Sequence, residues 1–97
     1  MSQITPDIVE EFMLRMHLDD EEDGNLQRIL EASYADLIRI CGDYDLGDPV
    51  FKELVFERAR YAYNDALEYF HTNFLTQINN LMMAKALGTS DDDDEAE

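Results

Sequence analysis

The segment that most constrains the fold is residues 49–70, PVFKELVFERARYAYNDALEYF, because a helix drawn over it is apolar on several sides. Asp48 and Pro49 predict where the helix begins, since aspartate caps the free N–H groups of a first turn and proline there loses no bond. One row of residues recurs at steps of three and four, as a core-facing stripe does. Its members are Phe51, Val55, Ala59, Ala62, Ala66 and Phe70.

The rest of this helix is also apolar, and this predicts burial on more than one side. The residues outside the stripe include Val50, Leu54, Phe56, Tyr61, Tyr63, Leu67 and Tyr69. A helix that is apolar on most of its surface must be buried on most of its surface. We expect the other helices of a 97-residue chain to cover about half of it. The far side is then expected to contact other subunits.

Two helices are predicted before this segment. The first begins with Thr5 as its cap and Pro6 at the first helical position, with Ile4 and Val9 placed as a hydrophobic staple, and it ends near residues 16–18. The second follows an apolar stripe and closes at Gly42. The stripe consists of Leu26, Ile29, Leu30, Tyr34, Leu37, Ile38 and Cys41.

A further helix is predicted over about residues 73–87, after a kink or break at 71–73. The alternative is one continuous helix over residues 49–87. The predicted class is therefore all-α, a small bundle of about four helices with a long, mostly buried third helix at about 49–70. We assign residues 1–88 to one domain and residues 89–97 to an acidic, disordered tail.

The C-terminal helix has a face rich in leucine and methionine, a flexible surface that suits a core or a partner groove. Both interpretations stay open at this point. The candidates for contact with a partner are Leu81, Met82, Met83 and Leu87.

The net charge of −16 is unevenly distributed. Residues 1–48 contain 13 acidic and 3 basic residues, residues 49–90 contain 4 of each, and residues 91–97 contain 6 acidic residues and no base. No cluster of lysine or arginine is present in the sequence, so binding to nucleic-acid phosphates or to an anionic membrane is not predicted. With no apolar run of membrane-spanning length and no signal peptide, a soluble intracellular protein is expected.

No active site, cofactor site or metal site is predicted. The acidic run at residues 19–23 is followed by Gly24, as in a calcium loop, but Leu30 stands where that loop needs a bidentate glutamate. His17 and His71 have no recognisable ligand or triad spacing. Cys41 lies on an apolar stripe and is expected to be a buried structural thiol.

The chain resembles the small head-tail connector proteins of long-tailed phages, also called adaptor or head-completion proteins. The resemblance covers about residues 4–87 and rests on three stretches: ITPDIVEEFMLRMHLDDEED, LQRILEASYADLIRICGDY and FKELVFERARYAYNDALEYFHTNFLTQINNL. The third is the most specific, because its tyrosine-rich helix joined to NFLTQINNL is similar to the third and terminal helices of that family.

The resemblance implies a structural virion protein in the neck of the particle, made in the host cytoplasm. It implies a ring of about twelve subunits under the portal protein that continues the DNA channel and presents a surface to a tail-terminator or stopper protein. DNA would pass through without specific binding, and no cofactor, membrane or catalysis is implied. Relative to the family, the segment after the third helix is short here and ends in DDDDEAE.

The candidate subunit contacts are aromatic and basic residues of the third and fourth helices. The arginines are expected to pair with a neighbour's acidic first half. These candidates are Arg58, Arg60, Tyr61, Tyr63, Tyr69 and Phe74.

Two other functions remain open. One is a small acidic DNA mimic or inhibitor whose carboxylates occupy a basic nucleic-acid enzyme. The other is an enzyme with a carboxylate or metal site at residues 19–23.

Overall fold

The computed structural model describes residues 3–20 and 24–87, and within these ranges the chain is helical and contains no strand. Helix α1 spans Pro6–Met16, α2 Asn25–Cys41, α3 Pro49–Tyr63, α4 Phe70–Asn73 and α5 Leu75–Ala86, with a 3₁₀ turn at Leu67–Tyr69. The all-α prediction is confirmed. The acidic tail at 89–97 and residues 21–23 of the acidic run lie outside the described residues.

Local sequence signals set where α1 and α3 begin. The Thr5 hydroxyl accepts a hydrogen bond from the backbone N–H of Ile8 at 3.3 Å. The Asp48 carboxylate accepts from the N–H groups of Val50 and Phe51 at 2.9 and 3.0 Å. Both predicted caps are therefore confirmed, because each interaction depends only on residues within one turn.

Helix α3 is shorter than the predicted 49–70. It ends at Tyr63 because Asp65 adopts a left-handed conformation, with φ of 58°. The Asp65 N–H then bonds to the carbonyl of Ala62 at 3.1 Å, and the Ala66 N–H to the carbonyl of Tyr61 at 2.8 Å. This is the Schellman arrangement that closes many helices, usually with glycine at the left-handed position.

The region after α3 also differs from the prediction. The helix is interrupted at residues 64–66 and again at Phe74, next to the predicted break, whereas residues 71–73 belong to the single-turn helix α4. A continuous helix over 49–87 is therefore wrong. The C-terminal helix starts at Leu75 and ends at Ala86, close to the predicted 73–87.

Helix α3 occupies the centre of the core, where it packs against α2 and α5. Four members of its predicted stripe are buried, whereas Ala62 and Ala66 are half-buried. The buried ones are Phe51, Val55, Ala59 and Phe70.

The middle of α3 is buried on several sides by its own chain. On the side toward α1, the ring of Phe56 packs on Phe12, with ring centroids 5.6 Å apart. Leu54 and Glu57 are also buried, 2% and 8% exposed. The apolar residues around this part of α3 are therefore covered by the chain itself, and their burial does not require a neighbouring subunit.

Gly42 brings the end of α2 close to α5. Its φ of 108° lies where residues with a side chain are strained, and a Cβ there would meet Cγ of Lys85 at 2.8 Å. Lys85 in turn places its ammonium 4.5 Å from the centre of the Tyr44 ring. The glycine therefore permits the close approach of α2, the following loop and α5.

Candidate interaction surface

The large apolar side chains that remain exposed are concentrated near the C-terminal end of the described chain. Seven such residues are exposed among the described ones, and five of them lie within residues 69–87. The same stretch contains no Asp or Glu, although the chain has 23. We call residues 69–87 the neutral segment. Its exposed apolar members are Tyr69, Leu75, Met82, Met83 and Leu87.

Helix α5 buries only a narrow face. Ile78 and Leu81 are 2% and 7% exposed, so the predicted partner residue Leu81 belongs to the core. Leu75 and Met82 are 54% and 41% exposed. These two residues are seven positions apart, close to two helical turns, and therefore lie on one side of α5. We call them the α5 ridge.

Met83 and Leu87 form a second exposed pair at the end of α5. They are 60% and 79% exposed and four positions apart, so they share another side of the helix. We call them the C-terminal pair. Together with Met82, they are the predicted partner residues that the structure leaves accessible.

An open groove runs between the start of α3 and the start of α5. Its volume is about 450 Å³. Val50, 51% exposed, lies on its wall, and its one charged lining residue, Glu53, forms an ion pair with Arg15 of α1. We call it the α3–α5 groove. The lining residues are Pro49, Val50, Glu53, Leu54, Phe74 and Gln77.

Two of the predicted subunit contacts pack inside the chain. The ring of Tyr61 meets the rings of Phe70 and Phe74 edge-on, at centroid distances of 5.9 and 5.8 Å. The Tyr61 hydroxyl accepts a hydrogen bond of 3.0 Å from the Asn73 side chain. This aromatic cluster holds α4 against the end of α3. Phe74 also lines the α3–α5 groove, so it remains partly accessible to a partner.

The other two predicted aromatic contacts differ in exposure. Tyr63 is half-buried and packs against the core. Tyr69 is 59% exposed and stands at the end of the 3₁₀ turn. Of these two, Tyr69 presents the larger accessible surface.

Arg58 pairs with the acidic first half of its own chain. Its guanidinium lies 3.1 Å from the Asp36 carboxylate and donates a 3.1 Å hydrogen bond to the buried Ser33 hydroxyl. Both side chains of the ion pair are largely buried, at 14% and 17% exposure. Arg58 therefore joins α3 to α2.

Arg60 belongs to an ion-pair network between α3 and α1. It lies 3.2 Å from Glu57, which also bonds to Arg15 at 3.1 Å, and Arg15 pairs with Glu53 as well. These carboxylates raise the pKa of Arg15, chiefly through its hydrogen bond to Glu53. Arg60 is half-exposed, so it can still reach a neighbouring molecule.

Most of the basic charge is used within the chain. Within residues 3–20 and 24–87, five of the seven bases form ion pairs with carboxylates of that same part of the chain. The excess of acidic residues over bases therefore makes the remaining surface negative. These five bases are Arg15, Arg39, Lys52, Arg58 and Arg60.

The described residues do not contain a cluster of side chains suited to metal binding. Within residues 3–20 and 24–87, no three histidine, cysteine or acidic side chains are placed to hold a metal ion. Burial raises the pKa of the Cys41 thiol, with a smaller effect from Asp36, so the neutral thiol is favoured. A buried neutral thiol is a poor nucleophile.

Val50 and Leu75, which the structure leaves about half exposed, were not singled out from the sequence. Val50 appeared as one of many apolar residues on α3, and Leu75 as one of a series on the last helix. The usable signal was the spacing of seven between Leu75 and Met82, which places both beside the buried face marked by Ile78 and Leu81. The groove gave no such signal, because its walls come from segments about 25 residues apart.

Comparison of the chain with protein-family models, curated proteins and solved structures finds no match. Among the helices in the part of the chain that the structure describes, none has the length and apolar character needed to cross a membrane. The residues that the structure describes thus form a helical fold, and most of their exposed large apolar side chains lie in the neutral segment of a strongly acidic chain.

Proposed function

We propose that this chain is a structural virion protein, a head-tail connector or adaptor that forms a ring under the portal of a long-tailed phage. The observation that supports this most is the neutral segment, which exposes five large apolar side chains in a chain of net charge −16. A concentration of exposed apolar side chains favours a role in protein contacts. The proposed role is structural, and we assign the chain no catalytic activity.

The acidic surface supports a position beside DNA without binding to it. Among the described residues, at least five of the seven bases pair with carboxylates, so few basic groups remain to hold phosphates. A channel with negative walls repels the DNA backbone and lets it slide. In this proposal DNA moves through the ring and makes no specific contact with it.

The accessible residues suggest two kinds of contact. Tyr69, Phe74 and Arg60 are placed for contacts between subunits of a ring of about twelve copies. In this proposal the C-terminal pair, Met83 and Leu87, docks on the portal or on a tail-terminator or stopper protein. Methionine suits such a surface, because its unbranched side chain adapts to irregular grooves. The proposed location is the neck of the virion, after synthesis in the host cytoplasm.

The test uses capsids that carry a portal and lack a tail. The chain is mixed with them and sedimented, and the bound fraction is measured for the natural chain and for a Met83→Glu, Leu87→Glu double variant. We expect the natural chain to sediment with the capsids and the variant to lose at least about tenfold in affinity, because ionised groups are costly to bury. Capsids that lack the portal supply the control.

An exposed apolar residue outside the neutral segment gives the matched variant. Leu14 is 70% exposed on α1, and Leu14→Glu should bind the capsids like the natural chain. Equal binding by all variants would contradict the assigned docking surface. Absence of portal-dependent binding by the natural chain would contradict the connector function itself.

A second function is supported by the same charge distribution. Three of the seven described residues at 43–49 are aspartates, and they add to the negative charge of the chain. With the other acidic residues, they suit a DNA mimic that occupies a basic enzyme. This alternative predicts capture of a basic nucleic-acid enzyme by the monomer, with competition from DNA. It does not account for the exposed neutral segment.

A further inference from the structure

The two flanks of α5 are different in shape. One flank presents the α5 ridge, formed by Leu75 and Met82. The other flank carries Gln77, which lines the α3–α5 groove. Gln77 follows Leu75 by two residues, which places it about 200° around the helix axis. The molecule therefore has an exposed apolar pair and an open groove on opposite sides of the same helix.

We propose that the α5 ridge of one copy of this chain docks in the α3–α5 groove of a second copy. The contact joins two different surfaces, so it is head-to-tail, and repeated contacts of this kind form a ring if the rotation closes. The proposal deepens the proposed connector function, since it names the contact between ring subunits. It leaves the C-terminal pair, on another side of α5, available to a different partner.

The distribution of charge supports a second copy as the occupant. Two chains of net charge −16 repel each other wherever their acidic surfaces meet. The neutral segment avoids this repulsion on the ridge side, because it has no carboxylate. On the groove side, the only carboxylate is Glu53, and Arg15 pairs with it. These two surfaces are thus suited to close contact between two acidic molecules.

Exposure supports the same pairing. Val50 on the groove wall and Leu75 on the ridge are 51% and 54% exposed in the single chain, so each has apolar area left to bury. The groove volume of about 450 Å³ has room for more than one side chain. Burying this apolar area would favour association.

The test compares two charge variants, one on each surface. Val50 and Leu75 both lie in the first turn of a helix, where a negative charge is favourable, so Val50→Glu and Leu75→Glu should leave the monomer folded. Each variant is measured by sedimentation equilibrium up to millimolar concentration, with helical circular dichroism as the check on folding. We expect the natural chain to associate and each variant to associate roughly 100-fold more weakly.

Thr76 provides the matched control. It is exposed in the same turn of α5 as Leu75 but lies on neither the ridge nor the groove lining. Thr76→Glu adds the same charge to the same turn and should associate like the natural chain. If Thr76→Glu weakens association as much as Leu75→Glu does, the added charge causes the weakening, and the ridge is not part of the contact.

Mixing the two variants tests the head-to-tail arrangement. The Leu75→Glu chain keeps its groove and the Val50→Glu chain keeps its ridge, so an equimolar mixture retains one intact contact. We expect heterodimers of twice the chain mass that grow no further. A mixture that stays monomeric would overturn the proposal, and so would a natural chain that stays monomeric at millimolar concentration.

The outcome for this contact is separable from the outcome for the connector function. Ring density at the portal with both Glu variants as well as with the natural chain would overturn the ridge-groove contact and leave the function standing. Association that depends on Val50 and Leu75, without any binding to portal-bearing capsids, would support the ridge-groove contact and contradict the connector function.

Discussion

The hydroxyl of Tyr44 donates a 2.8 Å hydrogen bond to the backbone carbonyl of Leu81, and this bond joins the α2–α3 loop to α5. The same ring stacks on Phe51 of α3, with centroids 5.4 Å apart, and lies under the Lys85 ammonium. Tyr44 therefore links three elements. This contact helps to fix the position of α5. The ridge, one wall of the groove and the C-terminal pair all lie on α5, so their positions depend on it as well.

Removal of the Tyr44 hydroxyl should loosen α5 without unfolding the chain. Tyr44→Phe keeps the stack on Phe51 but loses the bond to Leu81, so we expect a loss of about 1 kcal/mol in the free energy of unfolding by urea. Tyr34→Phe is the control, because its bond to the Tyr44 carbonyl is longer, at 3.3 Å. Equal losses of unfolding free energy for both variants would show that the Tyr44–Leu81 bond contributes no more to stability than the Tyr34 bond.

Asp36 pairs with one buried and one exposed arginine, so the contributions of the two arginines to the free energy of unfolding can be compared. It pairs with Arg58, 14% exposed, and with Arg39, 73% exposed. Arg58→Ala should lower the free energy of unfolding by about 2 to 4 kcal/mol, since it leaves Ser33 and Asp36 without a buried partner. Arg39→Ala should change it by less than about 1 kcal/mol.

Urea unfolding of the two variants and of the double variant checks this prediction. Equal effects of the two arginines would contradict the placement of Arg58 between α2 and α3.

Gly42 and Lys85 should show coupled effects on stability. Gly42→Ala introduces a side chain at positive φ and a contact of 2.8 Å with Lys85, so we expect a loss of about 1 to 3 kcal/mol. Lys85→Ala removes the crowding but not the backbone strain. The double variant should therefore recover part of the loss and not all of it. Thermal unfolding of the four proteins measures the coupling, and strictly additive losses would contradict the close approach.

Stability should fall in alkaline solution. Burial raises the pKa of Cys41 from 9.0, and burial with nearby aspartates raises the pKa of Tyr34 from 10.0. A raised pKa means that the unfolded chain loses these protons first, so the stabilisation is complete below the ordinary pKa and is lost as the pH rises past it. We expect the free energy of unfolding to decline from about pH 9 upward.

The contribution of the thiol can be isolated by substitution. Cys41→Ala should be less stable than the natural chain at pH 7, because the side chain is buried, and its stability should decline less between about pH 8 and pH 10. Urea unfolding at each pH measures both curves. Parallel curves would show that Cys41 does not titrate differently in the folded chain.

The sequence predicted the features that depend on neighbouring residues. Thr5 and Asp48 mark helix starts because their bonds reach only two or three residues along the chain. The end of α3 was missed because Asn64 and Asp65 stop the helix without a glycine or proline. Aspartate tolerates the left-handed conformation less readily than glycine and so gives a weaker signal.

Features formed by distant residues could not be predicted. The pairing of Arg58 with Asp36 depends on how α2 and α3 pack, and an excess of acidic residues offered many possible partners. Tyr61 was expected between chains because the helix was drawn to residue 70. The turn at residues 64–66 instead brings Phe70 and Phe74 back onto its ring. The site residues on α5 were partly predicted because their spacing follows the helical period.

The most direct test of the proposed connector is imaging of the portal vertex by electron microscopy, after addition of the chain to portal-bearing capsids without tails. The proposal predicts added ring density on the axis below the portal, with an open channel through which the DNA path continues. A vertex that is unchanged at saturating concentration of the folded chain would contradict the connector function.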